Sequence, residues 1–396
     1  MNGLIQPIMA LETFESAFNH LKSKKEPICI SGVADSGKSH LIHGLGGNDS
    51  KIIITYNEVR AKEIAEDMKF FEGEQVMVYP SKDVIFYSAD VHSNDIVRER
   101  LKIIRNIIEK KPLTLVVSIE ALMDPIIDKA VFVNNMLHFL VGDSLNMTPL
   151  TKQLVYMGYE RTEQVEVRGQ FSIRGGILDV YPIDEEQIYR IELFGDEIDS
   201  IRSVNPDSQR SVDNIKEVII LPAREIIVTD DAIKGAVVKI KKDSEVLKKS
   251  FAGHGQSEEV KRLEKIVAEL LNKVENLGNF NGIEGYMPYY YEKLYSILDY
   301  FETEVVFVDE PVRISDRWDS IKTELDESLK GRFEKGYLLT GQLEIVHDLP
   351  AIVAKIEQHK TVLISTLMQK AHFMKWQNPL DFSMKTIAPY HNNFEM

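Results

Sequence analysis

The sequence predicts an α/β protein: a parallel-sheet domain of the P-loop kind, interrupted by a small inserted β-rich module. Three observations carry this. A strand, a glycine loop and a helix occur in succession at Pro27–Ser39, and Gly32–Ser39 fits GxxxxGK[ST]. Short apolar strands alternate with amphipathic helices both before and after the middle of the chain, as a helix-covered parallel sheet requires. Between these halves, residues 165–225 switch to an apolar/polar alternation of period two, the mark of half-buried antiparallel strands.

The elements follow in order. Leu11, Phe14 and Phe18 mark an amphipathic stretch feeding a first strand at Pro27–Ser31. In the loop that follows, Gly32 and Gly37 would let backbone N–H groups curl around a polyphosphate. Lys38 would reach its β and γ oxygens and Ser39 would hold Mg²⁺. His40–Gly47 reads as a short, glycine-broken helix, which weakens its dipole. Lys51–Asn57 is a buried strand, and Ala61, Ile64, Ala65, Met68 and Phe71 form the inner stripe of a helix. Val76–Tyr79 is a strand, and a loop from Ser81 to Asn94 carries Tyr87 and His92. Asp95–Lys110 is a helix with Val97, Leu101, Ile104 and Ile108 inward and a solvated basic face. Leu113–Val117 is a further strand, and Leu150–Tyr159 a helix closed at Gly158.

In the alternating region Val165, Val167, Phe171 and Ile173 share one face, and Arg168, Gln170, Ser172 and Arg174 the other. Gly175-Gly176 and Gly195-Asp196 are the turns. Tyr189, Ile191 and Leu193 point inward, Arg190 and Glu192 outward. Beyond it, Ala232–Leu247 and Glu258–Leu277 are amphipathic helices whose lysines, Lys248 and Lys249 among them, read as a solvated face. The tyrosines of Phe280–Tyr300 have few basic neighbours and read as packing rather than as a base-stacking platform. Glu304–Glu310 is an apolar strand ending in Asp309-Glu310, where P-loop ATPases place the acid that orients Mg²⁺ or water. His359–Thr366 is a strand with Ser365-Thr366 at its end. Together these motifs describe one discontinuous RecA-like domain.

Composition sets the outer limits. The 396 residues carry a formal net charge of −15, which argues against a chain whose main task is to neutralise phosphates. A single cysteine, Cys29, excludes a disulfide framework and a multi-cysteine zinc site. His40 and His43 lack acidic neighbours, so no metal site is assigned. No run is apolar enough to span a membrane and no signal-peptide layout opens the chain, so the expected compartment is the cytoplasm.

The pattern RGxFxxRGGILDVYP…RIELFGDEIDSIRS…ILPARE resembles the module shared by the nucleotide-excision-repair protein UvrB and the N-terminal part of bacterial transcription-repair coupling factors. The details lean to the coupling factors. The loop Tyr79 to Asn94 is short and lacks a tyrosine cluster, and Ala34-Asp35 stand where UvrB has Thr-Gly. The resemblance implies docking onto UvrA, the damage-recognition ATPase. The implied contacts are Arg161 in Tyr159-Glu160-Arg161 and Arg174 in Ser172-Ile173-Arg174, where Ser172 replaces the family's first arginine. Arg168 and Phe171 are adjacent candidates. Outward guanidiniums suit bidentate pairing with a partner's carboxylates, although a lone surface arginine contributes little to stability.

The resemblance further implies a front piece of a longer ATP-dependent translocase that displaces RNA polymerase stalled at DNA damage. Contacts with RNA polymerase and double-stranded DNA would lie beyond residue 396. The loop Gly32–Ser39, with Asp309 and Glu310, has two readings: a Mg-ATP site, or the relic of one. No catalytic residue is assigned. The alternatives are a UvrB-type subunit and a self-sufficient P-loop ATPase. The expected division is 1–125 and 213–385 for the RecA-like domain, 126–212 for the module, and 386–396 as a linker.

Overall fold

The central sheet is parallel throughout in the computed structural model, which describes residues 2–23, 26–82, 94–277, 279–303, 305–369 and 372–384. In chain order the first half contains α1 (Asn2–Met9), α2 (Glu12–Ser23), β1 (Ile28–Ser31), α3 (Asp35–Gly46), β2 (Lys51–Thr55), α4 (Glu58–Glu72), β3 (Val76–Tyr79), α5 (Asn94–Ile108), β4 (Thr114–Ser118) and α6 (Ile119–Met123). A β-rich unit follows. It comprises α7 (Lys129–Asn134), β5 (Leu137–Leu140), α8 (Met147–Tyr156), β6 (Glu160–Arg161), β7 (Gln170–Arg174), β8 (Ile177–Tyr181), β9 (Ile188–Phe194), β10 (Glu197–Val204), β11 (Ser211–Ile215) and β12 (Glu217–Ile220). The chain then forms α9 (Asp230–Gly253), α10 (Ser257–Leu277), α11 (Met287–Tyr290), α12 (Ile297–Tyr300), β13 (Val305–Asp309), α13 (Pro311–Glu334), α14 (Leu349–Ile356), β14 (Lys360–Ile364) and β15 (Gln377–Asp381).

The seven-stranded sheet has the order β15-β1-β14-β13-β2-β4-β3, so strands from after the β-rich unit insert between β1 and β2. Apart from the edge strand β15, its strands are mainly apolar because both faces are covered. Ile28, Ile30, Ile53, Val116, Phe307 and Val362 face one core, with Phe14, Leu41, Ala61 and Met68 from α2 to α4. Ile52, Ile54, Leu115, Val117, Val306 and Leu363 face the other, which α9, α10 and the tyrosines around α11 and α12 complete. Tyr289, Tyr290 and Tyr300 are buried there, so these rings pack and do not offer faces to bases.

Several expectations change. α3 starts at Asp35, inside the glycine loop, and is not broken at Gly44. A Cβ on Gly44 would stand 3.0 Å from the Phe14 ring, so this glycine is where α2 approaches α3. The basic face of α5 is not solvated. Arg105 pairs with Asp184 and with Glu185 at 3.4 Å, and Arg98 and Lys102 pair with Glu186. The acidic turn after β8 is thereby docked on the parallel-sheet domain. Residues 163–169 form no strand: Val165 is buried while Val167 is exposed. The strand β15 carries too weak a pattern to be read from sequence. The pairing of β12 with β5 carries the β-rich unit past residue 212. Tyr87, His92 and residues 386–396 lie outside the described residues. No helix among the described residues is long and apolar enough to cross a membrane.

Candidate functional site

The strand order brings the nucleotide-loop residues together. β1, β14 and β13 are neighbours, so the loop at Gly32, the Ser365-Thr366 end and the Asp309-Glu310 end share one crevice at the carboxyl edge of the sheet. Lys38, buried, donates to Asp309 Oδ1 at 2.7 Å and to Glu310 Oε1 at 2.6 Å, and lies 3.1 Å from Asp35 Oδ1. Arg60 reaches Asp309 Oδ2 at 3.3 Å and Asp35 at 2.8 Å, and Thr55 donates to Asp309 Oδ2 at 2.9 Å. Thr366 donates twice to Glu310 Oε1, from backbone and hydroxyl, at 2.8 Å each. Burial alone would lower the Lys38 ammonium, but Asp309 and Glu310 outweigh it and hold it above its usual range. Burial pushes the Glu310 carboxyl up, and Lys38 and Thr366 bring it below the usual range.

This donor set does not fit Mg-ATP. The three N–H bonds of the Lys38 ammonium meet three carboxylates, and Glu63 adds a fourth acid around Lys38 and Arg60. A polyphosphate entering here meets an excess of negative charge. One backbone donor of the loop, Gly37 N, is also taken. Because α3 begins early, Gly37 N donates to Ala34 O at 2.8 Å instead of pointing outward. Met384 N donates to Gly32 O at 2.7 Å and Phe382 N to Ser31 O at 2.9 Å. A side chain on Gly32 would run into Asp381 and Ser383, and one on Gly37 into Met384. The segment after β15 thus lies against Gly32 and Gly37. Ser39 is buried one residue beyond Lys38. Among the described residues no group of three or more His, Cys, Asp or Glu could hold a metal.

The second candidate surface is the six-stranded sheet, of order β11-β10-β9-β8-β7-β6. Its inner face, with Phe171, Leu178, Val180, Ile191 and Ile201, packs on α8 and on the β5–β12 ribbon. Phe171 is fully buried in that core and is removed from the contact candidates. Its face is set by alternation, and nothing on a partner reaches it without unfolding the unit. On the outer face, cross-strand register aligns Ser172, Asp179, Arg190 and Arg202 in one row. Arg174, Ile177 and Glu192 form the next row.

The predicted arginines do not share one face. Arg161 is opposite Phe171, so its register is that of the inner face, although at the edge strand its side chain is exposed. Arg174 is on the outer face, three residues further along β7, roughly 10 Å along the strand. They flank one sheet margin from two sides. Arg161 makes no side-chain hydrogen bond or ion pair with the described residues. Arg174 is half exposed and donates once, to Asp179 Oδ2 at 3.3 Å. Arg168 is committed inward: it donates to Glu185 O at 2.8 Å, pairs with Glu186 and lies over the Tyr181 ring. It ties the acidic turn down and is not a free contact.

Sequence reading missed Arg60 and Thr55, which complete the Lys38 network, and Asp179, which Arg190 grips at 2.7 and 2.9 Å. It also missed Phe194, exposed at the tip of the β9–β10 hairpin. Alternation did carry that last signal, since Leu193 inward requires Phe194 outward.

A family model described as the UvrB interaction domain matches residues 137–226. The transcription-repair-coupling factor of Bacillus subtilis (strain 168) is 28% identical over 407 residues, covering 100% of this chain and 34% of that protein. Those of Staphylococcus epidermidis (strain ATCC 12228 / FDA PCI 1200) and Staphylococcus haemolyticus (strain JCSC1435) are 26% and 25% identical, covering 94% and 100% of this chain and 32% and 33% of those proteins. The chain spans about a third of the length of the curated relatives it matches.

Proposed function

We infer, from the premise that this chain is the N-terminal, UvrB-like region of a transcription-repair coupling factor, that it is a recruitment module for UvrA. Docking takes place on the β-rich unit, at the margin flanked by Arg161 and Arg174. The remaining two thirds of the relatives' length would carry the ATP-driven translocation on double-stranded DNA and the displacement of stalled RNA polymerase. The observation that carries the reading is the state of these two arginines. Arg168 and Arg190 of this unit, and Arg105 of α5, are held by internal carboxylates, whereas Arg161 has no partner among the described residues and Arg174 keeps one long bond. Guanidiniums left with open donors on a strand margin suit a partner's carboxylates.

The test is a titration of UvrA into the chain and into an Arg161→Ala, Arg174→Ala double variant. The expected result is a loss of at least about tenfold in affinity with an unchanged melting temperature. A folded double variant that binds as the parent does removes the assignment. The self-sufficient ATPase reading finds no support in the crevice, where Lys38 is neutralised by the chain's own acids.

A further inference from the structure

The chain carries a formal net charge of −15, yet the outer side of α9 is basic. From Lys234 to Lys249 this helix holds six lysines and two acids. Ala236, Ile240, Ser244, Leu247 and Phe251 form its buried side. On the opposite side Lys234, Val238, Lys241, Lys242, Val246 and Lys249 recur at steps of three and four residues, and all six are exposed. Val238 and Val246 are 66% and 60% exposed and stand roughly two turns apart.

The two acids do not neutralise this side. Asp243 is committed to the protein itself: its Oδ2 accepts from the Tyr289 hydroxyl, from Thr340 N at 2.9 Å and from Gly341 N at 3.4 Å. Glu245 pairs with Lys248. Lys242 and Lys249 make no ion pair or side-chain hydrogen bond among the described residues. Lys234 and Lys241 have only long contacts, to Asp231 at 3.7 Å and to Glu275 at 3.9 Å. The Asp243 bonds, the Thr229 cap and the packing along α10 hold α9 in place, so the fold sets the position of the strip.

Exposed lysines alone are an ordinary solvated face. Two exposed valines inside the same strip are a second, separate feature. Phosphate contacts call for cations and donors and have no use for the valines, and the net charge of the chain opposes a long polyanion. A protein surface that sets carboxylates around apolar groups matches the lysines and the valines together. We propose that the outer side of α9 is a docking surface for an acidic helical segment of a partner protein. That segment presents two apolar side chains eight residues apart, as Val238 and Val246 are, flanked by Asp or Glu. The valines make the apolar contacts, and Lys234, Lys241, Lys242 and Lys249 meet the carboxylates. The surface lies outside residues 137–226 and is independent of the UvrA-docking reading.

The experiment follows the anisotropy of a labelled helical peptide with leucines at that spacing and glutamates at the flanking positions. It is titrated with the parent chain, with a Lys241→Gln, Lys242→Gln, Lys249→Gln variant and with a Val238→Ser, Val246→Ser variant. The same peptide with glutamine for glutamate and a short DNA duplex are the controls, and each variant is also melted and titrated with UvrA. The expected outcome is saturable binding by the parent, weaker by about tenfold or more in the lysine variant and by about threefold or more in the valine variant. Melting temperature and UvrA affinity stay at the parent's values. No saturable binding by the parent, or a lysine variant within about twofold of it, overturns the proposal. A valine variant equal to the parent reduces the strip to non-specific charge and overturns the docking surface. Duplex binding tighter than peptide binding, and lost in the lysine variant, assigns the strip to nucleic acid and overturns it as well. A fall in UvrA affinity in the lysine variant places UvrA on α9 and counts against a separate surface.

Discussion

Single side chains show where this protein spends charge internally. Arg100 is completely buried, stacked on the Tyr79 ring, and bonded to Asp124 at 2.9 Å and to Glu225, which Lys82 also reaches. Burial pushes the Glu225 carboxyl up, but Arg100 and Lys82 outweigh it and bring it down to about 2 from an ordinary 4.5. For Asp124 burial wins over Arg100, and its carboxyl rises to about 6 from 3.8. The signs are opposite. Glu225 contributes stability in full above 4.5 and loses it as the pH falls toward 2, whereas protonation of Asp124 between 6 and 3.8 favours the folded chain. Glu225→Gln is expected to cost about 3–5 kcal/mol at neutral pH, because Arg100 is left buried and short of a partner. The same variant should flatten the fall of Tm below pH 4.5. Equal slopes in acid for parent and variant would exclude Glu225 as the source.

At the scale of elements, caps and dockings decide what stays in place. Thr229 accepts from Ala232 N at the start of α9, and Asp230 and Asp231 sit in the first turn where the helix dipole favours negative charge. α9 packs along α10 as a helical hairpin, with Ala236, Ile240 and Leu263 in the core. Thr229→Ala is expected to lower stability by about 1 kcal/mol, read as a shift in the urea midpoint at constant slope. A change in slope would mean that α9 unfolds by itself, not with the rest. α5 is the contrasting case. Its arginines look like solubilising residues in one dimension, yet they clamp the Asp184–Glu186 turn and through it Arg168.

For the whole molecule, the β-rich unit is docked on the parallel-sheet domain through the cations of α5. The crevice of the parallel sheet is filled with ion pairs and crossed by residues 381–384. Titration with Mg-ATP is therefore expected to release no heat. Lys38→Ala should act on stability, costing about 3 kcal/mol, because buried Asp309 keeps only Arg60 as a cation and part-buried Glu310 loses its own. Saturable heat that Lys38→Ala abolishes would show that the network opens and would return the loop to a nucleotide site. The expected division of labour places recruitment in this third of the relatives' length and mechanical work elsewhere.

Local pattern alone determined the α/β class, the parallel-sheet strands β1 to β4, β13 and β14, the α4 stripe and the turns at Gly175 and Gly195, because these depend on spacing within a few residues. Motif spacing likewise marked Lys38 and Asp309, and the family resemblance marked Arg161 and Arg174, as residues of interest. Only the tertiary structure decided what they do. Strand order brings Lys38 against acids 271 and 272 residues away. Register puts Arg161 and Arg174 on two sides of one edge, buries Phe171, ties Arg168 to Glu186 and leaves Phe194 in water. The physical reason is that a charged or aromatic side chain takes its role from whichever partner the fold delivers, and no spacing along the chain encodes which partner that is.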